Sequence, residues 1–491
     1  MIELLQTRRL FVIILAMGLF AMAARGITDP DLWWHLRTGQ LIVQNHQVFH
    51  TDPYSFTRSG QPWVDHEWLS QVLIFGLYRL AGWGGLIVGF GAVVAAAFLV
   101  VFLRCPGRPY VAGAVTLLGA FASAPSWGAR PQMLTLLLAS VLLLILECSY
   151  RHPKLLWWTP ALMLLWVNLH AGYALGIALM ALFLVGQALD VALGFADPDS
   201  KDAPQSSIRF RALGLATLGC VAVVPLNPYG MAMYAYPLET LRSRAMQSYI
   251  GEWLSPDFHQ SRYLATLALI LATVVLPAVS PRRVRPREIL LLLVTTYAAL
   301  HSVRHIPIYT LVAIPILSAM VLAWLQARQR ARGLKVKDTP ITPAKTWVNA
   351  VLLGGFLVFV IARVGYVARH QAETEAKELP KAAVSFITAH RPPAPLFNHY
   401  NWGGYFIWKL YPEYRVYIDG RADLYGDAFM DDLATTYYLR GDSWRTTFDK
   451  WGIRTVVLPP DAPLVTALGT LPDWKTVYAD SQAVVLTKKA D

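Results

Sequence analysis

Residues 83–103, WGGLIVGFGAVVAAAFLVVFL, carry no charged side chain. A helix needs about 20 apolar residues to cross the hydrocarbon core of a bilayer, and runs of this kind recur along the chain. They lie near 10–26, 83–103, 110–127, 131–148, 155–170, 172–194, 212–226, 263–280, 288–303, 306–325 and 346–367. The recurrence predicts an α-helical polytopic membrane protein with about eleven transmembrane helices. Composition agrees. Of 491 residues, 55% are hydrophobic and 15% charged, against roughly 25% charged in soluble proteins.

Charge distribution sets an expected orientation, because cytoplasmic loops of membrane proteins are enriched in Lys and Arg. With the N-terminus inside, the cytoplasmic loops hold Arg104/Arg108, Arg151/Lys154, Lys201/Arg209/Arg211, Arg282/Arg283/Arg285/Arg287, and a final group from Arg328 to Lys345 that includes Lys335 and Lys337. The net charge of +12 is thereby explained without nucleic-acid binding. The first apolar segment follows Arg8 and Arg9 and runs into RGITDPD, which lacks a small-x-small cleavage site, so an uncleaved first helix is expected. The segment His66–Leu80 is amphipathic and is expected to lie along the membrane surface. Three cysteines, Cys105, Cys148 and Cys220, sit in or beside apolar runs and imply neither a disulfide framework nor a cysteine metal site.

This division gives a transmembrane domain over 1–370, with a first outer loop at 27–82, and a small α/β extracytoplasmic domain over 371–491. In the latter, PLFNHY, YRVYID, RTVVLP, WKTVYA and QAVVLT alternate as strands do. WGGYFIWKLY, DAFMDDLATTYYL and SWRTTFDKWG read as helices or turns.

The polar motifs all fall on the outer side. TDPDLWWHLRTG (28–39) has Asp29 and Asp31 about Pro30, which ends the first helix. The two carboxylates suit a general base and a metal ligand, or two ligands of one hard cation. Alternatively they cap a helix, with Trp33 and Trp34 as interfacial anchors. His35 lies four residues after Asp31 and shares its helix face. PWVDHEWLS holds Asp65, His66 and Glu67. Asp65 reads as an N-cap of the surface helix. His66 and Glu67, if helical, point about 100° apart and form no close chelate. GARPQM and HSVRHIP place Arg130, Arg304 and His305 in short outer turns, where arginine binds a phosphate or snorkels to the headgroups. NLHAGY sets Asn168 and His170 at a helix end, with helix–helix hydrogen bonding as the plainer role. PLNPYG breaks the seventh helix, and the long connection to Arg262 suits a lid over a groove. In the outer domain Asp419, Arg421 and Asp423 follow YRVYI and fit either ligand binding or a buried Asp–Arg pair.

The DPD after the first helix, the long first outer loop and the C-terminal outer domain resemble the GT-C superfamily of integral-membrane glycosyltransferases. DPDLWWHLRTG, TDPYSFT, PWVDHEWLS, ARPQM, NLHAGY and NWGGYFIWKLYPEYRVYIDGRADLYG are similar to a family of bacterial GT-C-like membrane proteins. The resemblance implies a transferase that moves a hexosyl or pentosyl group from a polyprenyl-phosphate carrier to a lipid, glycan or protein acceptor. It would do so at the outer face of the bacterial inner membrane, with Asp31, or else Asp29, as catalytic base. It further implies substrate binding by His35, His66, Glu67, Arg130 and Arg304, to which the outer-turn motifs add His170 and His305, and a divalent cation (Mg or Mn) on Asp29 and Asp31 if a metal takes part. Pro30 departs from the DE and DD signatures of some GT-C families. A glycan ligase of GT-C-like fold, or a non-catalytic lipid-binding, transport or assembly protein, are the alternatives.

Overall fold

In the computed structural model, residues 7–195, 203–333 and 342–489 are described. Lys201, Lys335 and Lys337, read as cytoplasmic-loop charges, lie outside them. Each of the eleven apolar runs coincides with a helix. The chain starts with α1 (Thr7–Ala23), followed by the shorter α2 (Leu32–Asn45) and the long α3 (Trp68–Arg104). α3 is broken at Ala81 and Gly82, where Gly82 adopts φ +57°. A left-handed φ is cheap only for glycine, and here it separates the amphipathic part from the apolar part.

The bundle continues with α4 (Pro109–Ser123), α5 (Gln132–Cys148), α6 (Thr159–Leu169), α7 (Tyr173–Ala192) and α8 (Ala203–Ala222). Then come α9 (Ala232–Arg242), α10 (Arg244–Tyr249), α11 (Leu264–Val279), α12 (Pro286–His301), α13 (Ile306–Ala331) and α14 (Pro343–Arg369). Proline opens α4, α12 and α14, a position where its missing N–H costs no helical hydrogen bond. Among the described residues, five segments are long and apolar enough to cross a membrane: Trp68–Arg104, Tyr173–Ala192, Ser261–Val279, Val303–Ala331 and Pro343–Arg369. α13 is the bundle's central helix, with Ile306–Ser318 buried without interruption. Its core partners include Phe98, Leu142, Leu143 and Leu269, all inaccessible to solvent.

The C-terminal region begins with α15 (Gln371–Glu378) and α16 (Lys381–His390). It then forms β1 (Leu396–Asn398), α17 (Gly403–Leu410), α18 (Ala422–Tyr425), α19 (Asp427–Tyr437), α20 (Ser443–Trp451), β2 (Thr455–Leu458), α21 (Pro463–Gly469), β3 (Trp474–Ala479) and β4 (Val484–Lys488). The four strands order as β1-β2-β4-β3, with β1 parallel to β2 and the other pairs antiparallel.

One expected strand is missing from this sheet. YRVYID alternates like a strand, but it pairs elsewhere. Val416 N–H donates to Tyr54 O at 3.1 Å, and Phe56 N–H to Val416 O at 3.1 Å. The Asn398 side chain takes Tyr417 N–H at 2.9 Å and donates to Ile418 O at 2.8 Å. The segment is thus shared between the sheet and the first loop. Trp33 and Trp34, expected at the lipid interface, are also covered, at 1% and 6% exposure. Trp33 meets Tyr405 of α17 edge-on at 4.9 Å and Trp83 at 5.1 Å. The C-terminal domain sits on them, which removes them from an anchoring role.

Candidate active site

The site is built from turns between helices, the stem of the first loop and two covering segments. The turn between α1 and α2 carries the DPD. Asp29 Oδ1 accepts Asp31 N–H at 3.0 Å, and Asp31 Oδ1 accepts the Trp34 indole N–H at 3.3 Å. Asp31 occupies the N-cap position of α2 but makes no side-chain cap, so its carboxylate is left to face the cavity. The turn between α4 and α5 brings Arg130, whose Nε lies 3.3 Å from Asp29 Oδ2. The 3₁₀ turn Val303–His305 between α12 and α13 brings Arg304.

These two arginines share a partner that sequence reasoning missed. Glu252 takes Arg130 Nη1 on Oε2 at 2.8 Å and Arg304 Nη1 on Oε1 at 3.2 Å. It belongs to the 231–262 connection, which folds as α9, α10 and the 3₁₀ turn Gly251–Trp253. That connection lines the cavity with Tyr236, Thr240, Met246 and Trp253. A single acid in an aromatic stretch gave no pattern to read. Arg130 is therefore a paired arginine rather than a snorkelling one.

The stem of the first loop supplies a second cluster. His35 Nε2 lies 3.3 Å from Glu67 Oε2, while His66 Nε2 and His170 Nε2 each lie 3.2 Å from Glu67 Oε1. The close His66–Glu67 contact corrects the helical expectation. α3 begins only at Trp68, and Glu67 has φ −110°, ψ 13°, so the 100° helical separation does not apply. Asp65 is likewise no N-cap. It is buried, and its Oδ1 accepts from the Gln71 side chain. Asn168 keeps its structural role, accepting the Trp68 indole N–H at 3.0 Å and donating to Leu164 O at 2.9 Å.

The C-terminal domain roofs the cavity through Tyr400, Asn401, Gly420 and Asp423. A Cβ on Gly420 would stand 1.7 Å from Asp31 Oδ1, and one on Gly404 would stand 2.5 Å from Pro30 O. The glycines allow the domain to reach the DPD. Asp423 accepts the Tyr236 hydroxyl at 3.1 Å, whereas Asp419 and Arg421 form a buried pair. Arg421 Nε and Nη2 each reach Asp419 at 2.7 Å, and Nη1 reaches Asp52 Oδ1 at 2.8 Å. Asp52 was not anticipated either.

The cavity measures about 270 Å³. Asp29, Asp31, His35, His66, Glu67, Arg130, His170 and Arg304 all line it. His305 does not. It lines a neighbouring, mostly apolar cavity of about 150 Å³ with Leu136, Leu175 and Ile308, and the two cavities share Arg130, Gln132, His170 and Arg304.

Protonation follows from these contacts. Burial raises the Asp31 pKa well above the ordinary 3.8, and the adjacent Asp29 charge adds to it. Asp29 is raised by burial too, against the opposing pull of Arg130. Burial also works to raise Glu67 and Glu252. The histidines outweigh it at Glu67, and Arg130 with Arg304 outweighs it at Glu252, leaving Glu252 at about 2. His35 is pushed down to about 4 by burial and stays neutral at pH 7.

The donors as arranged do not fit a divalent cation. Mg²⁺ and Mn²⁺ want several free oxygens. Asp29 is engaged by Arg130 and a backbone N–H, and Glu67 by three imidazoles. His170 Nδ1 accepts the Gly172 N–H at 2.9 Å. Its ring proton therefore sits on Nε2, aimed at Glu67, which is the wrong tautomer for ligation through that atom. Among the described residues, no group of three or more His, Cys, Asp or Glu side chains is arranged to hold a metal ion.

The fold of the chain is similar to that of an archaeal oligosaccharyltransferase. The oligosaccharyltransferase of Archaeoglobus fulgidus, tethered to an acceptor peptide containing an NVT sequon, superposes with a TM-score of 0.57 at 11% identity, covering 93% of this chain and 70% of that one. The same archaeal enzyme, AglB, in complex with an inhibitory peptide and a dolichol-phosphate, gives 0.54 at 11% identity over 91% and 68%. ArnT of Cupriavidus metallidurans bound to undecaprenyl phosphate gives 0.48 at 15% identity over 98% and 97%. At these identities the likeness is one of fold. No protein-family profile matches the chain, and no curated protein sequence matches it.

Proposed function

We propose that the protein is an inverting glycosyltransferase. It takes a glycosyl group from a polyprenyl-phosphate carrier and passes it to an acceptor hydroxyl at the outer face of a bacterial inner membrane. The observation that carries this reading is the different state of the cavity's carboxylates. Asp29 and Glu252 face arginines, Glu67 faces imidazoles, and Asp65 and Asp423 are held by the Gln71 amide and the Tyr236 hydroxyl, while beside the DPD turn no cation lies within ion-pair distance of Asp31 among the described residues. An unpaired carboxylate with a raised pKa is suited to take a proton near neutral pH.

In the reaction the Asp31 carboxylate receives the acceptor proton as the acceptor oxygen bonds to the anomeric carbon. The bond from that carbon to the phosphate oxygen breaks, and its electron pair leaves on the phosphate. Arg304 and Arg130 meet the developing charge, where preorganised cations are worth most. The apolar cavity beside these arginines suits the first isoprene units of the carrier. The lipid phosphate bound by AglB is of the same chemical kind. The expected orientation, N-terminus inside and C-terminal domain outside, rests on the basic loops.

Purified protein supplied with a panel of undecaprenyl-phosphate sugars and envelope acceptors should release undecaprenyl phosphate. Asp31→Asn should lose about 10²–10⁴-fold in turnover while still binding undecaprenyl phosphate. Full turnover by a well-folded Asp31→Asn protein would exclude Asp31 as the base.

A further inference from the structure

We propose that Glu252 occupies the place of the donor phosphate. It acts as an internal competitor that must swing off Arg130 and Arg304 before a lipid phosphate can bind. The inference deepens the donor reading above and rests on it.

Three observations carry it. First, Glu252 spans the arginines with one oxygen on each, at 2.8 Å and 3.2 Å. The two non-bridging oxygens of a phosphate ester can be taken by the same pair of guanidinium groups, because arginine forks match carboxylate and phosphate alike.

Second, the ion-paired groups around Glu252 are balanced. Asp29 and Glu252 offset Arg130 and Arg304. A phosphate added beside Glu252 would leave an uncompensated negative charge in a largely buried setting, which is costly. Exchange of carboxylate for phosphate keeps the balance.

Third, the backbone under Glu252 is tied down while its side chain is not enclosed. Ser302 Oγ–H donates to Glu252 O at 2.9 Å, and Val303 N–H donates to Leu254 O at 3.0 Å. The Glu252 side chain keeps 23% exposure, and the preceding Gly251 has no heavy atom within 4 Å of its would-be Cβ. The exchange therefore needs a rotamer change, not an opening of the whole 231–262 connection. Such a latch also keeps abundant membrane phospholipids from filling the arginine pair, since every anionic headgroup must first displace it.

The test is a titration of the purified, detergent-solubilised full chain with undecaprenyl phosphate, followed by native mass spectrometry, with inorganic phosphate as a second probe. Glu252→Gln should bind undecaprenyl phosphate about tenfold more tightly than the unaltered protein, a difference of about 1.4 kcal/mol. Glu252→Asp keeps the charge but is too short to bridge, and should show a smaller gain. It decides the matter if Glu252→Gln does not fold. Unchanged or weaker binding in the folded variants overturns the inference. So does a gain for inorganic phosphate without one for undecaprenyl phosphate. Arg304→Ala separates the two levels. If it weakens binding at least tenfold while the Glu252 variants do not tighten it, only the competitor role falls. If it binds like the unaltered protein, the arginine pair is not the donor phosphate site.

Discussion

Asp31 and Asp29 are two residues apart, yet they differ in what surrounds them, and pH should expose that difference. Because burial and the Asp29 charge raise the Asp31 pKa, its base form accumulates only above the ordinary aspartate range. The acid limb of kcat/KM is expected well above pH 3.8. Asp29→Asn removes the like charge and should move that limb to lower pH, as measured by pH–rate profiles. Glu67 behaves in the opposite sense. Its folded pKa is depressed below 4.5 by His66 and His35, which overcome the effect of burial. The stability it contributes is present above pH 4.5 and is lost as pH falls through the folded value. Glu67→Gln should cost about 2–3 kcal/mol at neutral pH, and its melting temperature should respond less to acid between pH 4.5 and 3 than that of the unaltered protein.

At the level of elements, small residues set the spacing on which the site depends. α2 crosses α3 so closely at Gly39 that a Cβ there would stand 2.1 Å from Gln71 O. Gly420 does the same for the roof above Asp31. Gly420→Ala is expected to displace Asp31 or lift the roof. It should lower turnover at least tenfold at a stability cost of about 1–3 kcal/mol, with undecaprenyl phosphate binding retained. Kinetics together with thermal melts would check it. The elements themselves were largely legible. An apolar run with no charge has few alternatives to a helix, and the DPD, DHEW, ARPQ and VRH motifs mark turns that the structure gathers around one cavity. What was not legible depends on partners distant in the chain. YRVYI has a strand's alternation, but its backbone groups are taken by Tyr54, Phe56 and the Asn398 side chain. Glu252 and Asp52 carry no local pattern, because each is defined by an arginine more than 50 residues away: Arg130 and Arg304 for Glu252, and Arg421 for Asp52. The helical reading of His66 and Glu67 failed because it began α3 two residues too early.

Across the whole molecule, the first loop and the C-terminal region are tied together. Arg421 is 2% exposed, lies 4.6 Å from the Trp63 ring and 5.1 Å from that of Tyr54, and bridges Asp52 to Asp419. Ser243 and the backbone of Arg244 bind Asp427 at 2.6 Å and 3.0 Å, joining the 231–262 connection to the same domain. Arg421→Ala would leave two buried carboxylates without their cation, at a cost of about 3–5 kcal/mol. The expected result is proteolytic cleavage within residues 46–66 that the unaltered protein resists, read by limited proteolysis and mass spectrometry.

The Arg421 bridge also bears on how the protein is made. Asp52 emerges early in synthesis and Arg421 late, so the first loop has no buried cation to close on until some 370 further residues have followed it. Until then Gly420 and Gly404 are not in place over Asp31 and Pro30. A chain that stalls before its last hundred residues would have its long apolar helices and an unroofed cavity. Maturation of the site is thereby linked to completion of the whole polypeptide.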